Sequence, residues 1–455
     1  MLYRRATSNT PPLCPTLGHT RTLAYGLTVG LSCTLAFGTT VLADVRATGM
    51  GGTAVSVGSG HYGALANPAL LLTPENGKTT KHIGFGVNAV ARDRPDLLGI
   101  ATDEANQELF NDIDTEINAV TAQPIICDPV FGSGDDACVQ GTGALASLAD
   151  RVQTIFEDID EEPVEGQVRG NIGFSNAIYK VPFLFDYSFS ATGFGEADIL
   201  EADSDYVQIL ENTLEDNQLT LNEIIENAPI RISNNGSALE IDFPDDVLTS
   251  EGSTAVMLRN QFSLGFAKQF SMGNNTVAVG VTPKFSTLTA QSSSVAVKDL
   301  SEDELADDLE ASEVSESSFT FDVGASMPVP GKPAFRVAGV IRNVISESIT
   351  TLNGFEFETT PQLIVGGHYK RDNLLLSADL ALNEASYDGF DTQPLSLGLE
   401  YKAGPAKLRA GINNDFAFSS SPTSFSVGLG LGAFDIAYSG SGGVYSGGVQ
   451  FDINW

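Results

Sequence analysis

Four groups of residues have types and spacings that could do chemistry. Gly49-Met50-Gly51-Gly52-Thr53-Ala54 fits the G-x-G-x-x-A fingerprint of a dinucleotide loop. Such a loop must leave a buried apolar strand and open a helix, so that backbone N–H groups meet the pyrophosphate. Here it follows "DVRAT" and runs into a Gly- and Ser-rich stretch ending at Pro68, so the match is one of glycine spacing only. Cys127 and Cys138 enclose ten residues in "CDPVFGSGDDAC". A disulfide and a thiolate metal site compete there. The histidines beyond the first 43 residues (His61, His82 and His368) lie far away in sequence, which favours the disulfide. The acidic runs "NDIDTE", "EDIDEE" and "SEDELADDLE" lack the alternating oxygen ligands, turn glycine and closing Glu of a calcium loop, and read as solvated surface. There is no G-x-S-x-G, and His61, His82 and His368 form no recognisable catalytic constellation in sequence. The expectation is a protein without catalytic residues, cofactor or metal.

The elements that would carry these residues begin after an export signal. Arg4, Arg5 and Arg21 precede an apolar stretch from Leu23 to Leu42 that ends in Val41-Leu42-Ala43, the small-x-small pattern of signal peptidase. Arg4-Arg5 lacks the rest of a twin-arginine motif, and Gly30 stands where a lipoprotein motif before Cys33 needs Leu. Residues 1–43 are read as a signal peptide, which leaves 412 of 455 residues and takes the formal charge from −34 to −37. So acidic a chain repels nucleic acid and anionic lipid surfaces, and no nucleic-acid partner is expected. Export also places Cys127 and Cys138 where disulfides persist.

Beyond residue 43 no apolar run is long enough for a transmembrane helix. Much of the chain instead alternates with period two. Leu374, Leu376, Ala378, Leu380 and Leu382 share one face while Ser377, Asp379 and Asn383 share the other, and Leu395, Leu397, Leu399 and Tyr401 oppose Ser396, Gly398, Glu400 and Lys402. Fourteen strands are predicted: 81–93, 168–180, 183–197, 257–270, 274–291, 316–329, 334–350, 360–370, 374–386, 394–403, 406–415, 423–431, 433–440 and 444–455. Many reach ten residues, the length that crosses a bilayer at a steep tilt, and the number is even. Connections alternate between an outer class (94–167, 198–256, 292–315, 351–359, 387–393, 416–422 and 441–443), mostly long, and short turns such as "PGKP" at 330–333. With the N-terminus in the periplasm, every long connection faces outward from the cell and every short turn inward. The fold class is therefore an all-β, 14-stranded antiparallel transmembrane β-barrel over 81–455, in the outer membrane of a Gram-negative bacterium and in contact with its lipid and lipopolysaccharide.

Helical stripes in the long connections (Leu145, Leu148, Val152, Ile155, Phe156, Ile159, and Leu109, Phe110, Ile113, Ile117, Val120) predict a folded extracellular cap. Ser301-x-x-Glu304 and Thr220-x-x-Glu223 read as capping boxes. The last strand sets Phe451, Ile453 and Trp455 on one face and ends on the aromatic, resembling the terminal signal read by the barrel-assembly machinery.

One further stretch points to a family. "VRATGMGGTAV", a spacer and "ALANPALL" stand between the signal and the first strand. This resembles the FadL/OmpP1/TodX long-chain fatty-acid transporter superfamily, and more closely its relative, the outer-membrane TraF-like conjugal transfer family. That family is distinct from the thioredoxin-like protein of the same name, since no C-x-x-C is present. The residues carrying the resemblance are Gly49, Gly51, Gly52, Asn67, Pro68 and Ala69. It implies that residues 44–80 fold into the lumen as a plug, and that the barrel is a passive conduit or binding protein for small hydrophobic molecules, or an envelope component of conjugal transfer. A non-transporting surface protein, an adhesin, receptor or scaffold using an acidic helical cap, is the alternative. Arg46, Lys78 and Lys81 are the only basic residues near the plug for a ligand carboxylate. Glycines would let this segment pass close to the barrel wall. Pro68 is expected to draw Ala66-Asn67 into extended geometry.

Overall fold

A computed structural model describes residues 44–58, 60–72, 81–93, 153, 164–178, 181–198, 208, 231–234, 239–242, 250–273, 275–296, 308–309, 311–417, 423–441 and 444–454. The expected signal peptide, Cys127, Cys138, Lys78, Trp455 and nearly all of the expected helical cap lie outside them. Among the described residues twenty strands follow one another: β1 (His82–Asp93), β2 (Val164–Ile178), β3 (Val181–Asp198), β4 (Arg231–Asn234), β5 (Leu239–Asp242), β6 (Glu251–Met272) and β7 (Asn275–Ala296). Then come β8 (Val314–Val329), β9 (Lys332–Arg342), β10 (Glu347–Thr350), β11 (Glu356–Thr359), β12 (Gln362–Arg371), β13 (Leu374–Ala381), β14 (Ala385–Tyr387) and β15 (Phe390–Thr392). β16 (Pro394–Ala403), β17 (Ala406–Asp415), β18 (Ser424–Leu431), β19 (Phe434–Ser441) and β20 (Val444–Asn454) complete the chain.

Fourteen of these close one antiparallel barrel in the order β1-β2-β3-β6-β7-β8-β9-β12-β13-β16-β17-β18-β19-β20, with Ile83 opposite Ile453 where β20 meets β1. The remaining six form three separate hairpins, β4–β5, β10–β11 and β14–β15. Closure leaves the barrel no free edge, so each of its fourteen strands has a partner on both sides. The alternation is turned inside out relative to a water-soluble protein. Phe85, Phe174, Phe262, Phe285, Leu397, Leu408 and Phe425 are exposed on the outer wall, while Asp186, Thr192, Arg259, Asp322, Asp379 and Arg409 are buried in the lumen. Outward rings pair across strands, as in Phe335 and Tyr369 with centroids 4.7 Å apart. An apolar outer band with a polar interior is the signature of a barrel solvated by lipid.

Several strands outrun their predicted limits. β6 starts at Glu251 and β7 ends at Ala296, although 251–256 and 292–296 read as loop. These extensions are rich in Ser and Thr, so the apolar half of the alternation fades while the backbone ladder continues, Glu251 opposite Ala296. Two other strands are shorter than predicted. The strand expected over 334–350 ends at Arg342, where Asn343 takes φ 48° and gives its N–H to the Asp322 carboxylate at 2.9 Å. The strand expected over 374–386 ends at Ala381. In both places the pattern continues into a hairpin that turns into the barrel mouth.

Candidate functional site

The lumen is filled from both ends. At the short-turn half sits the segment 44–72. Asp44 caps the helix α1 (Val45–Gly49), its carboxylate accepting from the N–H groups of Arg46 at 3.0 Å and Ala47 at 3.3 Å. Burial raises the Asp44 pKa, with the Arg46 charge working against that rise. After α1 the chain turns through Gly51 (φ 69°) and Gly52 (φ 93°), conformations that suit glycine. Gly49 lies against Gly428 and Ala437. A Cβ at Gly411 of the wall would overlap the Gly51 nitrogen, so wall and plug approach backbone to backbone.

Helix α2 (Gly60–Ala66) was not foreseen. Ala66 closes it, and only Asn67 is extended (φ −155°, ψ 116°), because proline restricts just the residue before it. Asn67 then caps a 3-10 turn, Pro68–Leu71, by accepting the Ala69 N–H at 3.0 Å. Its amide nitrogen donates to Val55 O at 3.0 Å, Gly339 O at 3.3 Å and Ala325 O at 3.4 Å, tying plug to wall. Pro68 and Ala69 lie against Gly280, and Ala69, Leu71 and Leu72 pack with Leu184, Ala267 and Ala278.

Carboxylates of the wall help to hold this segment. Asp379 accepts from the N–H groups of Ala54 at 2.6 Å and Val55 at 2.8 Å. His61 Nε2 meets Asp186 at 2.6 Å, with both side chains buried, and Asn171 donates to the same carboxylate oxygen at 3.1 Å. Arg46 forks onto Glu400 at 2.9 and 3.1 Å, and Glu400 also accepts from Arg409, which reaches Asp435 at 2.6 Å. Burial opposes the Arg46 charge, but the Glu400 carboxylate outweighs it and raises the Arg46 pKa. Arg46 is thus engaged by the protein itself. His82 pairs with Asp452 at 3.1 Å, and His368 lies 3.3 Å from the Ser56 hydroxyl. Lys81 is exposed at the barrel end. Phe451 and Ile453 face outward, 46% and 43% exposed.

At the long-loop half, β10–β11 and β14–β15 turn inward. Their meeting point is Arg259 of β6. Its guanidinium donates to Asp388 at 2.8 Å, Glu347 at 2.6 Å, Thr359 at 3.0 Å and Ser286 at 3.3 Å. Asp388 also accepts from Ser190 at 3.1 Å, Gln167 at 3.3 Å and, at the limit of 3.5 Å, Arg169. Ser318 bonds Glu347. The Tyr387 ring lies under Arg169 at 4.2 Å, and burial raises its pKa. Above this ionic layer Phe194, Phe355, Phe357 and Phe390 pack with centroids 5.1–5.5 Å apart, joined by Ile349, Met257 and Leu288.

Neither Arg259 nor Asp388 stood out in the sequence. The signal available was "YDGF": Asp388 (φ 54°) and Gly389 (φ 87°) form the two-residue loop of β14–β15, a hairpin motif with a local mechanism. That its tip is buried depends on partners up to 221 positions away in sequence. Among the described residues no group of three or more His, Cys, Asp or Glu is arranged to hold a metal ion.

The chain was compared with known proteins. The model of a family described as "F plasmid transfer operon, TraF, protein" matches residues 64–380. No curated protein matches. Among solved structures it is similar to the P. putida toluene transporter TodX (10% identity, 90% of this chain and 97% of that chain, TM-score 0.39). It is similar also to a Pseudomonas aeruginosa FadL homologue (11% identity, 92% and 97%, TM-score 0.38). A third is a TodX deltaS2S3 mutant monoaromatic hydrocarbon channel (11% identity, 90% and 98%, TM-score 0.40).

Proposed function

Since the chain belongs to the family described as the F plasmid transfer operon TraF protein, we propose that it is an outer-membrane conduit for small hydrophobic molecules, held shut at both ends of its lumen. The observation that carries this reading is the double occlusion of a barrel with an apolar outer wall. Residues 44–72 seat in one half and the two inturned hairpins in the other. The long connections face the outside of the cell and the short turns the periplasm, as the connection lengths of outer-membrane barrels require. The aromatic layer of Phe194, Phe355, Phe357 and Phe390 supplies an apolar surface on the outer side, where a hydrophobic molecule would first leave water. The ionic layer beneath makes passage conditional on the hairpins moving. The operon in the family's description adds an envelope role in conjugal transfer to the same reading.

The test is uptake of N-phenylnaphthylamine, a small apolar dye that an intact lipopolysaccharide layer excludes. Cells displaying the barrel take it up faster than cells without it. Equal uptake overturns the hydrophobic ligand class.

A further inference from the structure

Barrel closure gives each wall strand two neighbours, but not along its whole length. β8 pairs with β7 from Val314, opposite Ala290, to Ser326, opposite Ala278. On its other side β9 is paired only as far as Val323, opposite Ile341. Val344 then gives its N–H to Phe321 O at 2.9 Å, Ile345 gives its own to Thr320 Oγ1 at 3.1 Å, and the chain turns inward as β10. From Val314 to Phe319, β8 therefore has a strand on one side and, among the described residues, none on the other.

Period two decides which backbone groups face that open side. The Phe321 carbonyl points toward β9, so those of Ser315, Ser317 and Phe319, with their N–H groups, point the same way. The alternate set faces β7, where the Ser292 N–H reaches Ser312 Oγ at 2.9 Å. Ser315, Glu316 and Ser317 are exposed. Six residues at about 3.4 Å each make roughly 20 Å of open edge.

This edge stands in water. Tyr187, Phe262, Phe285 and Phe319 form one row across β3, β6, β7 and β8 on the outer wall, the aromatic girdle of a membrane interface. Beyond that row the outward positions of β7 and β8 are Thr287, Thr289, Ser317 and Ser315.

We propose that residues 314–319 of β8 take up a basic, extended segment of a partner protein as an added strand. Donors and acceptors repeating at every second residue are matched by another extended backbone, and neither a lipid headgroup nor a phosphate carries that repeat. No lysine or proline blunts the edge, as either commonly does where pairing must be prevented. Its charge selects the sign of the partner. Glu316 is exposed, Glu313 beside it accepts the Gln291 amide at 3.4 Å, and among residues whose side chains are described no exposed lysine or arginine lies at this end. A second copy of the same edge would bring these glutamates against their own counterparts, whereas lysine or arginine across from them is favoured. That the edge faces the outside of the cell rests on the orientation given under Proposed function; the docking itself does not.

The test uses the full-length barrel in non-ionic detergent and a fluorescein-labelled decapeptide of alternating lysine and valine, read by anisotropy. Ser317→Pro removes an edge-facing N–H, keeps every charge and leaves the bonds to β7 intact, a position where strands tolerate proline. The expected result is saturable binding that falls about tenfold in Ser317→Pro, stays unchanged in Ser317→Thr, and falls about fivefold in Glu313→Gln/Glu316→Gln. Heat-modifiable gel mobility verifies folding. A measurement on the unaltered barrel stands beside the variants: the peptide should slow amide hydrogen exchange at Ser315, Ser317 and Phe319. Absence of binding, unchanged exchange, or equal binding by a folded Ser317→Pro barrel overturns the proposal, the last by reducing it to charge attraction. Equal binding of an alternating glutamate and valine peptide overturns the basic partner. Dimers that Ser317→Pro dissociates would make the occupant a second copy and overturn it likewise. Orientation is read separately: an impermeant maleimide should label Ser317→Cys in intact cells, and failure to label would overturn the extracellular placement and leave the peptide result standing.

Discussion

Replacing Arg259 by Leu should open the outer half of the lumen. The guanidinium sits on the barrel wall, while its two carboxylate partners, Glu347 and Asp388, sit on the inturned hairpins. Both carboxylates are buried, at 4% and 0% exposure. Removing one partner of a buried ion pair typically costs about 3–5 kcal/mol, because the remaining charge is left desolvated. Swinging the hairpins into water relieves that cost, so the closed-to-open ratio should fall by about 150- to 4,000-fold, at about 1.4 kcal/mol per factor of ten.

Thr192→Cys provides the reporter. Thr192 is fully buried on the lumen wall beside Gln167, which also reaches Asp388. When opening is fast relative to reaction, labelling by an impermeant maleimide follows the open population. The rate should therefore rise by the same factor, about 150- to 4,000-fold, in the Arg259→Leu background. The neutral triple variant Arg259→Leu/Glu347→Gln/Asp388→Asn strands no buried charge and should restore most of the protection; Asn at 388 tolerates the positive φ. A folded Arg259→Leu barrel with an unchanged labelling rate would refute the latch. A triple variant as open as the single one would refute its electrostatic explanation.

Four other outcomes follow from the same geometry. The two obstructions act in series, so planar-bilayer conductance should rise strongly only when deletion of 44–72 is combined with Arg259→Leu; full opening by either change alone would contradict this. Asn67→Ala loses a cap and three bonds to wall and plug carbonyls, and should cost about 1–3 kcal/mol in urea unfolding. Leu397→Arg places a charge on the outward wall, at a position 49% exposed. It should reduce stability in lipid vesicles by up to about 2–4 kcal/mol, and an unaffected barrel would contradict the lipid-facing assignment. Asp44 has a folded pKa above its ordinary value of 3.8. Its contribution to stability is therefore fullest below that value and is lost as pH rises through the folded pKa. Asp44→Asn, which keeps the cap, should remove that slope from calorimetric stability measured from pH 3 to neutrality.

Much of the barrel could be read residue by residue because the information is local. Period-two alternation along 374–382 and 395–401 assigns each side chain a face before any partner strand is known, and a one-residue slip would put Asp379 against lipid. Connection lengths then order the strands, since antiparallel neighbours join through short turns such as Gly331 or Gly404, both at positive φ. The same local signal misjudged 334–350, where the alternation runs on past Arg342 with nothing in the sequence to mark the turn at Asn343.

What tertiary structure alone decided is the state of the lumen. A serine, a carboxylate and an arginine on inward positions look alike in sequence whether they line open water or clasp another segment. Arg259 meets Asp388 across 129 positions and Arg46 meets Glu400 across 354. No spacing rule reaches that far. Those pairings exist because barrel closure excludes water from the lumen, where a buried charge is tolerated only with a partner. Gly49 and Gly51, first noticed for their spacing, lie against Gly428 and Gly411 of the wall for a related reason: a Cβ at these positions would overlap the facing backbone.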